Sequence, residues 1–132
     1  MILEMFNLKG KSGIVTGGGS GIGKAIAKGS VQAGAEIVIV GRDIKKLEQA
    51  AEEIRKFGGP VIAVRADVSK VEEMKDLVDR TVKEFGKIDF LFNNAGMIRR
   101  TPSEDYTEKD WDETIATNLK GPFFLRRRLP KR

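Results

Sequence analysis

The chain of 132 residues contains no cysteine and no histidine. The first absence removes disulfides and thiolate nucleophiles. The second removes the side chain most often used as a general base near neutral pH, and together they take away the usual zinc ligands, so no metal site is expected. A cysteine-free chain is compatible with a reducing cytoplasm, the expected location. Tyrosine and tryptophan occur once each, as Tyr106 and Trp111. No apolar run approaches membrane-spanning length, and the opening Met1–Phe6 stretch carries Glu4 and no basic n-region. Neither a membrane span nor a secretory signal is expected.

What is present fits one globular domain with a real core, since 40% of residues are apolar and 33% charged. The net charge of +5 is local in origin: Arg126, Arg127, Arg128, Lys131 and Arg132 supply five positive charges, and the remaining 19 basic residues balance 19 acidic ones. A basic tail of this kind can bind nucleic acid, but no aromatics are interleaved with it, and nucleic acid is not expected as a partner. The natural division is a domain over 1–125 and a basic tail over 126–132.

One stretch organises the rest: Thr16-Gly17-Gly18-Gly19-Ser20-Gly21-Ile22-Gly23, between the apolar Gly13-Ile14-Val15 and the helical Lys24-Ala25-Ile26-Ala27. Strand, glycine turn and helix in that order make an anion site. The first backbone N–H groups of a helix lack intrahelical partners, and the helix dipole adds roughly +0.5 charge there. Glycines let a phosphate approach the backbone without meeting a Cβ. A P-loop is excluded because Gly23-Lys24 is followed by Ala25, and the strict G-x-G-x-x-G spacing is absent. On the glycines alone, a flexible surface turn is the alternative.

Strands and helices alternate beyond it. The first helix carries Ile22, Ala25, Ile26, Gly29 and Ala33 at helical spacing, with Gly34 placed to end it. Glu36–Val40 reads as a buried parallel strand. A helix from about Asp43 to Phe57 follows, with Ile44, Leu47, Ala51 and Ile54 on one face, broken by Gly58-Gly59-Pro60. Val61–Val64 is the third strand. Ser69 and Glu72 form a capping box that starts a third helix, striped by Val71, Met74, Val78, Val82 and Phe85 and closed by Gly86. Ile88–Phe92 makes a fourth strand, running into Asn93-Asn94-Ala95-Gly96. This alternation specifies an α/β fold, a parallel sheet with right-handed crossovers.

The glycine stretch and Asn93-Asn-Ala-Gly96, with Asp67-Val68 between them, resemble the short-chain dehydrogenase/reductase family from about Leu8 to Phe124. The resemblance implies a Rossmann-type fold that binds NAD or NADP. It implies that Gly17, Ser20, Gly21, Ile22 and Gly23 wrap the pyrophosphate, with Thr16 bracing the turn. Asp67 and Val68 would contact adenine, and Asn94, Ala95 and Gly96 would pass under the adenosine ribose. A plain turn residue is the alternative for Asp67.

Arg42 follows the second strand where an NAD site expects a ribose-reading acid. Gly41 stands in the acid's place, and a guanidinium matches a 2′-phosphate through paired, charge-assisted bonds. NADP is therefore the expected cofactor and NAD the alternative. Asp43 could receive a ribose hydroxyl but is better placed as a helix N-cap, and a solvated loop charge is the plain alternative for Arg42.

After Gly96 comes a polar loop to Tyr106. Thr107 with Asp110 resembles a helix start, and Trp111, Ile115 and Leu119 continue an apolar face. Asn118-Leu-Lys-Gly-Pro122 resembles the family segment whose Asn holds a water in the proton relay. A helical Asn bonding a backbone carbonyl is the alternative, and the two roles can coexist. The family pattern then stops. The next strand's Ser and the Tyr-x-x-x-Lys are missing, and four residues after Tyr106 stands Asp110. The chain reads as a Rossmann-type sheet truncated after its fourth strand and following helix. An interrupted reading frame is the expected origin, and a natural short form is an alternative. Two functions compete: the cofactor half of an oxidoreductase that moves hydride between NADP(H) and an alcohol or carbonyl, and a non-catalytic dinucleotide-binding or self-associating fragment. The uncovered Phe90–Phe92 strand and the last helix point to a homo-oligomer.

Overall fold

Each β-branched run forms a strand and each amphipathic stretch after it a helix in the computed structural model, which describes residues 1–131. The order is β1 (Ser12–Thr16), α1 (Gly21–Gln32), β2 (Glu36–Gly41), α2 (Ile44–Arg55), β3 (Val61–Arg65), α3 (Val71–Phe85) and β4 (Phe90–Phe92). All strand pairs are parallel, in the spatial order β3-β2-β1-β4. The chain builds outward from β1 through β2 to β3, then returns to the other side of β1. That reversal opens a crevice between β1 and β4 at the carboxyl ends of the strands.

Side chains alternate across the sheet with a period of two, so each strand feeds two cores. Val15, Ile37, Ile39 and Ala63 pack with Ala27, Leu47, Ala51 and Ile54 of α1 and α2. Ile14, Val38, Val40 and Val64 pack on the other face with Met74, Leu77 and Val78 of α3. Every one of these is at most 5% exposed. Burying each large aliphatic side chain contributes about 1.5–3 kcal/mol, which makes these two layers the main source of stability.

A long helical segment follows the fourth strand. It consists of α4 (Glu108–Ile115), a wider π-helical turn (Ala116–Lys120) and α5 (Gly121–Arg128). Thr107 caps it by accepting the Asp110 N–H at 3.1 Å, as the spacing predicts. Leu125 is fully buried in the α3 core. Arg126, Arg127 and Arg128 form the last turn, where positive charge suits the helix dipole. Among the described residues no helix is long and apolar enough to cross a membrane.

Several local details differ from the sequence expectation. The buried face of α1 is Gly23, Ala27, Ser30 and Val31, rotated from the expected stripe, and Ile22 is 75% exposed. Small residues, not the largest apolar ones, set which side of this helix lies on the sheet. Ile44 is likewise outside the α2 core, at 41% exposed. The Ser69–Glu72 capping box does not form. The Ser69 hydroxyl donates to Asp67 Oδ1 at 2.7 Å, and Glu73 reaches back to accept the Asp67 N–H at 2.6 Å. The helix begins at Val71 with Lys70 as its N-cap, one residue later than the box requires, so the Ser69 oxygen faces no helix N–H that it could accept and its proton goes to the charged Asp67. Leu77 and Thr81 join the buried face of α3. The fourth strand is shorter than expected because the Asp89 side chain takes over its start, accepting the Ser12 N–H at 2.9 Å.

Candidate functional site

The carboxyl ends of the strands open into a cavity of about 820 Å³. Of the residues singled out from the sequence, Gly17, Ser20, Gly21, Ile22, Arg42, Asp67, Val68, Asn94, Ala95 and Gly96 line it. Thr16, Gly23 and Asn118 stand just behind its walls. Tyr106 lies elsewhere, in a separate hollow with Trp111, and its hydroxyl shares a 2.9 Å hydrogen bond with Thr114.

The glycine turn owes its shape to two contacts. Gly17 has φ of 65°, a left-handed conformation, and a Cβ there would sit 2.9 Å from Asn94 Nδ2. At Gly23 a Cβ would run into the Gly17 carbonyl oxygen, so only glycine lets α1 begin this close to the turn. Thr16 is 1% exposed and ties β1 to the segment after β4. Its hydroxyl oxygen accepts the N–H groups of Asn94 and Ala95, both at 3.0 Å, and donates to the Phe92 carbonyl at 3.3 Å. The Ser20 side chain makes no capping bond to α1, which leaves its hydroxyl and the helix N-terminus facing the cavity.

On the opposite wall, Asp43 caps α2 and accepts the N–H groups of Lys45 at 3.0 Å and Lys46 at 3.2 Å. The acid nearest Arg42 is thus committed to the helix. Asp67 accepts from the Ser69 N–H at 3.0 Å as well as from its hydroxyl. Partial burial works against its charged form, but the two Ser69 bonds and the nearby charges of Arg42 and Lys70 outweigh that and hold the carboxyl below its ordinary range.

Asn118 sits inside the π-helical turn, a feature that recurs at functional sites. Its amide pairs with the Met97 backbone on both sides: Oδ1 accepts the Met97 N–H and Nδ2 donates to the Met97 carbonyl, each at 2.8 Å. One turn earlier on the helix, Arg99 pairs with Glu113 at 2.9 Å and lies 3.6 Å from Asp110. These contacts staple the segment after β4 to the helix, so the Asn94–Gly96 floor of the cavity is held from behind.

Sequence reading did not single out Val40, Lys46, Leu47, Ala66 and Thr117 as lining residues, and it placed Met97 only as the start of a loop of the kind that lines a substrate cleft. Helical spacing from Asp43 could have placed Lys46 on the cavity side. Nothing in the sequence announces the backbone of Met97. The cavity suits a dinucleotide on its own features. A glycine cradle admits no Cβ beside a helix N-terminus, a serine hydroxyl is unused by its helix, and a cation and a carboxylate stand on the far wall.

The comparisons agree with this geometry. The chain is 42% identical over 125 residues to the 2-dehydro-3-deoxy-D-gluconate 5-dehydrogenase of Escherichia coli (strain K12), covering 95% of this chain and 49% of that protein. The crystal structure of a metagenomic short-chain oxidoreductase in complex with NADP superposes with a TM-score of 0.87 at 34% identity, over 92% of this chain and 56% of that one. NAD⁺-bound xylitol dehydrogenase superposes with a TM-score of 0.88 at 34% identity, over 92% of this chain and 47% of that one. The chain spans about half the length of the curated relatives it matches. The family model described as short chain dehydrogenase matches residues 11–131, and the chain belongs to that family.

Proposed function

We propose that this chain is the NADP-binding portion of a short-chain dehydrogenase/reductase that interconverts an alcohol and a carbonyl. The observation that carries the reading is the single cavity shared by the glycine turn, Arg42, Asp67 and the Asn94–Gly96 segment. When bound, a nicotinamide dinucleotide supplies or accepts the hydride. The N–H groups at the start of α1 and the Ser20 hydroxyl bind the pyrophosphate. Asp67 and Val68 hold the adenine, and Asn94 to Gly96 support the ribose. Arg42 meets a 2′-phosphate, since Gly41 offers no acid and Asp43 is occupied by its own helix.

Asn118 is the one catalytic residue proposed. Met97 engages one Nδ2 hydrogen and one Oδ1 lone pair of its amide, so a water held in a proton relay is bound from its backbone carbonyl, the second Nδ2 hydrogen or the remaining Oδ1 lone pair. A cytoplasmic setting and a homo-oligomer complete the reading. The second is supported by the open edge of β4 and by the exposed Trp111, Leu119 and Phe123 on the last helix. A second reading, a dinucleotide-binding or self-associating fragment without catalysis, is favoured by one sequence fact: the 132 residues contain no Tyr-x-x-x-Lys.

Titration calorimetry with NADP⁺ and NAD⁺ tests the cofactor assignment. NADP⁺ should bind more tightly, and Arg42→Ala should lower its affinity by about tenfold to a hundredfold, the range for a charge-assisted pair. Equal affinities that Arg42→Ala leaves unchanged would refute it.

A further inference from the structure

We propose that Lys46 is a second specificity-determining cation, contacting the same 2′-phosphate as Arg42; this rests on the NADP reading above. Four basic groups surround the glycine turn and the start of α2: Lys24, Arg42, Lys45 and Lys46. Only Arg42 and Lys46 line the cavity. Lys24 is drawn away into an ion pair with Glu53 that joins α1 to α2. Lys45 shares the first turn of α2 with Lys46 but lies off the cavity wall.

The electrostatic setting favours a doubly charged ligand group. Among the described residues neither Arg42 nor Lys46 is in an ion pair. The Asp43 carboxylate, the acid beside them on this wall, has its Oδ1 turned onto the N–H groups of Lys45 and Lys46, which lessens its competition for the two cations. Asp67 across the cavity feels the Arg42 charge, but its Oδ1 is engaged by Ser69. A cavity wall with two cations outside any ion pair and one acid, Asp43, whose Oδ1 is spent on its helix cap carries a net positive charge that suits a phosphate dianion better than a ribose hydroxyl. The roles divide by chemistry. The planar fork of Arg42 orients the phosphate, while the flexible ammonium of Lys46 neutralises its second charge as a point source.

The test compares NADP⁺ with NAD⁺, and 2′,5′-ADP with 5′-AMP, on the wild-type 132-residue chain and on Lys46→Ala, Lys46→Arg, Lys45→Ala and Arg42→Ala. Lys46→Ala should weaken NADP⁺ and 2′,5′-ADP about fivefold, as expected for a partly solvated pair with a dianion, and leave NAD⁺ and 5′-AMP within twofold. Lys46→Arg should retain most of the affinity, and Lys45→Ala should leave all four ligands within twofold. The Lys45 and Lys46 variants keep a helix-favouring residue at an exposed position of α2, and Arg42 lies on an exposed bend before it, so none of them disturbs the core. If Lys46→Ala has no effect, or no more than Lys45→Ala, while Arg42→Ala still removes the NADP⁺ preference, the Lys46 proposal falls and the cofactor reading stands. If the wild type binds NADP⁺ and NAD⁺ equally and Arg42→Ala changes nothing, both fall.

Discussion

Residues 12–85 and residues 88–131 come from one fold but stand in opposite relations to solvent. The first region carries nearly the whole core: among the described residues, Leu125 is the only buried hydrophobic beyond Val78. In the second region Phe92 is 41% exposed, Ile98 69%, Trp111 60%, Leu119 62% and Phe123 61%. Both β3 and β4 are edge strands, but β3 is largely buried by the helices of its region, whereas no residue of β4 is fully buried and its following helix leaves large apolar side chains uncovered. In the proposed function, cofactor binding draws mainly on the self-sufficient region, and catalysis and association on the other.

The largest effect predicted from this contrast is catalytic. A polypeptide of these 132 residues should show no detectable NADPH oxidation at 340 nm with ketones, aldehydes or sugars, even where NADP binds. A positioned general acid contributes about 10²–10⁴ in rate. Tyr106, the only tyrosine, is bonded to Thr114 in a separate hollow. Turnover that disappears in Tyr106→Phe would show that the second region holds its own acid after all.

Next in size is a stability difference between the two regions. Ile39→Ala, at a fully buried position in the middle of β2, should destabilise by about 2–5 kcal/mol in urea titrations. Trp111→Ala should cost far less, because more than half of that side chain already faces water. Similar losses at the two positions would mean that the stripe is covered in solution.

That covering is the third prediction. The wild-type chain should sediment as a dimer or larger species at high micromolar concentration, and Trp111→Ser with Phe123→Ser should shift it toward monomer with the far-UV circular dichroism retained. A wild-type monomer under those conditions would leave the contrast intact but remove its consequence.

The smallest effect belongs to Asp67. Its native carboxyl is held below the ordinary value, so its contribution to stability is fully present above the unfolded pKa, near 3.9, and is lost as pH falls through the lower native value. The stability gap between wild type and Asp67→Asn should therefore close below about pH 4. A gap that stays constant down to the acid transition would assign the effect to shape instead of charge.

Much of this was legible in residue patterns because it depends on period and punctuation. The β-branched runs of β1 to β3, the Asp43 and Thr107 caps and the Gly86 stop each follow from local chemistry, and the two glycine- and asparagine-bearing turns meet because the sheet order brings β1 beside β4. What was not legible depends on competition between neighbours. Whether Ser69 caps a helix or serves Asp67 turns on the residue at which the chain enters the helix, which here is one later than the box requires. The buried face of α1 follows from how closely Gly23 and Ala27 let it approach, which hydrophobicity does not encode. Asn118 was singled out by resemblance, but its two bonds to the Met97 backbone could not be foreseen, since a backbone partner leaves no trace in the letters.

The π-helical turn at Ala116–Lys120 has a consequence in sequence length. It holds one residue more than an α-helical turn, and the residues beyond it are in phase only because of that extra one. Deleting a single residue there, Thr117 for instance, would let the helix close regularly. Everything downstream would then rotate by about 100°, the angle of one residue. Leu125 would leave the α3 core, and a side chain would be carried to the place where Gly121 lies against the Val68 carbonyl with no space for a Cβ. The segment can change its letters far more freely than its count.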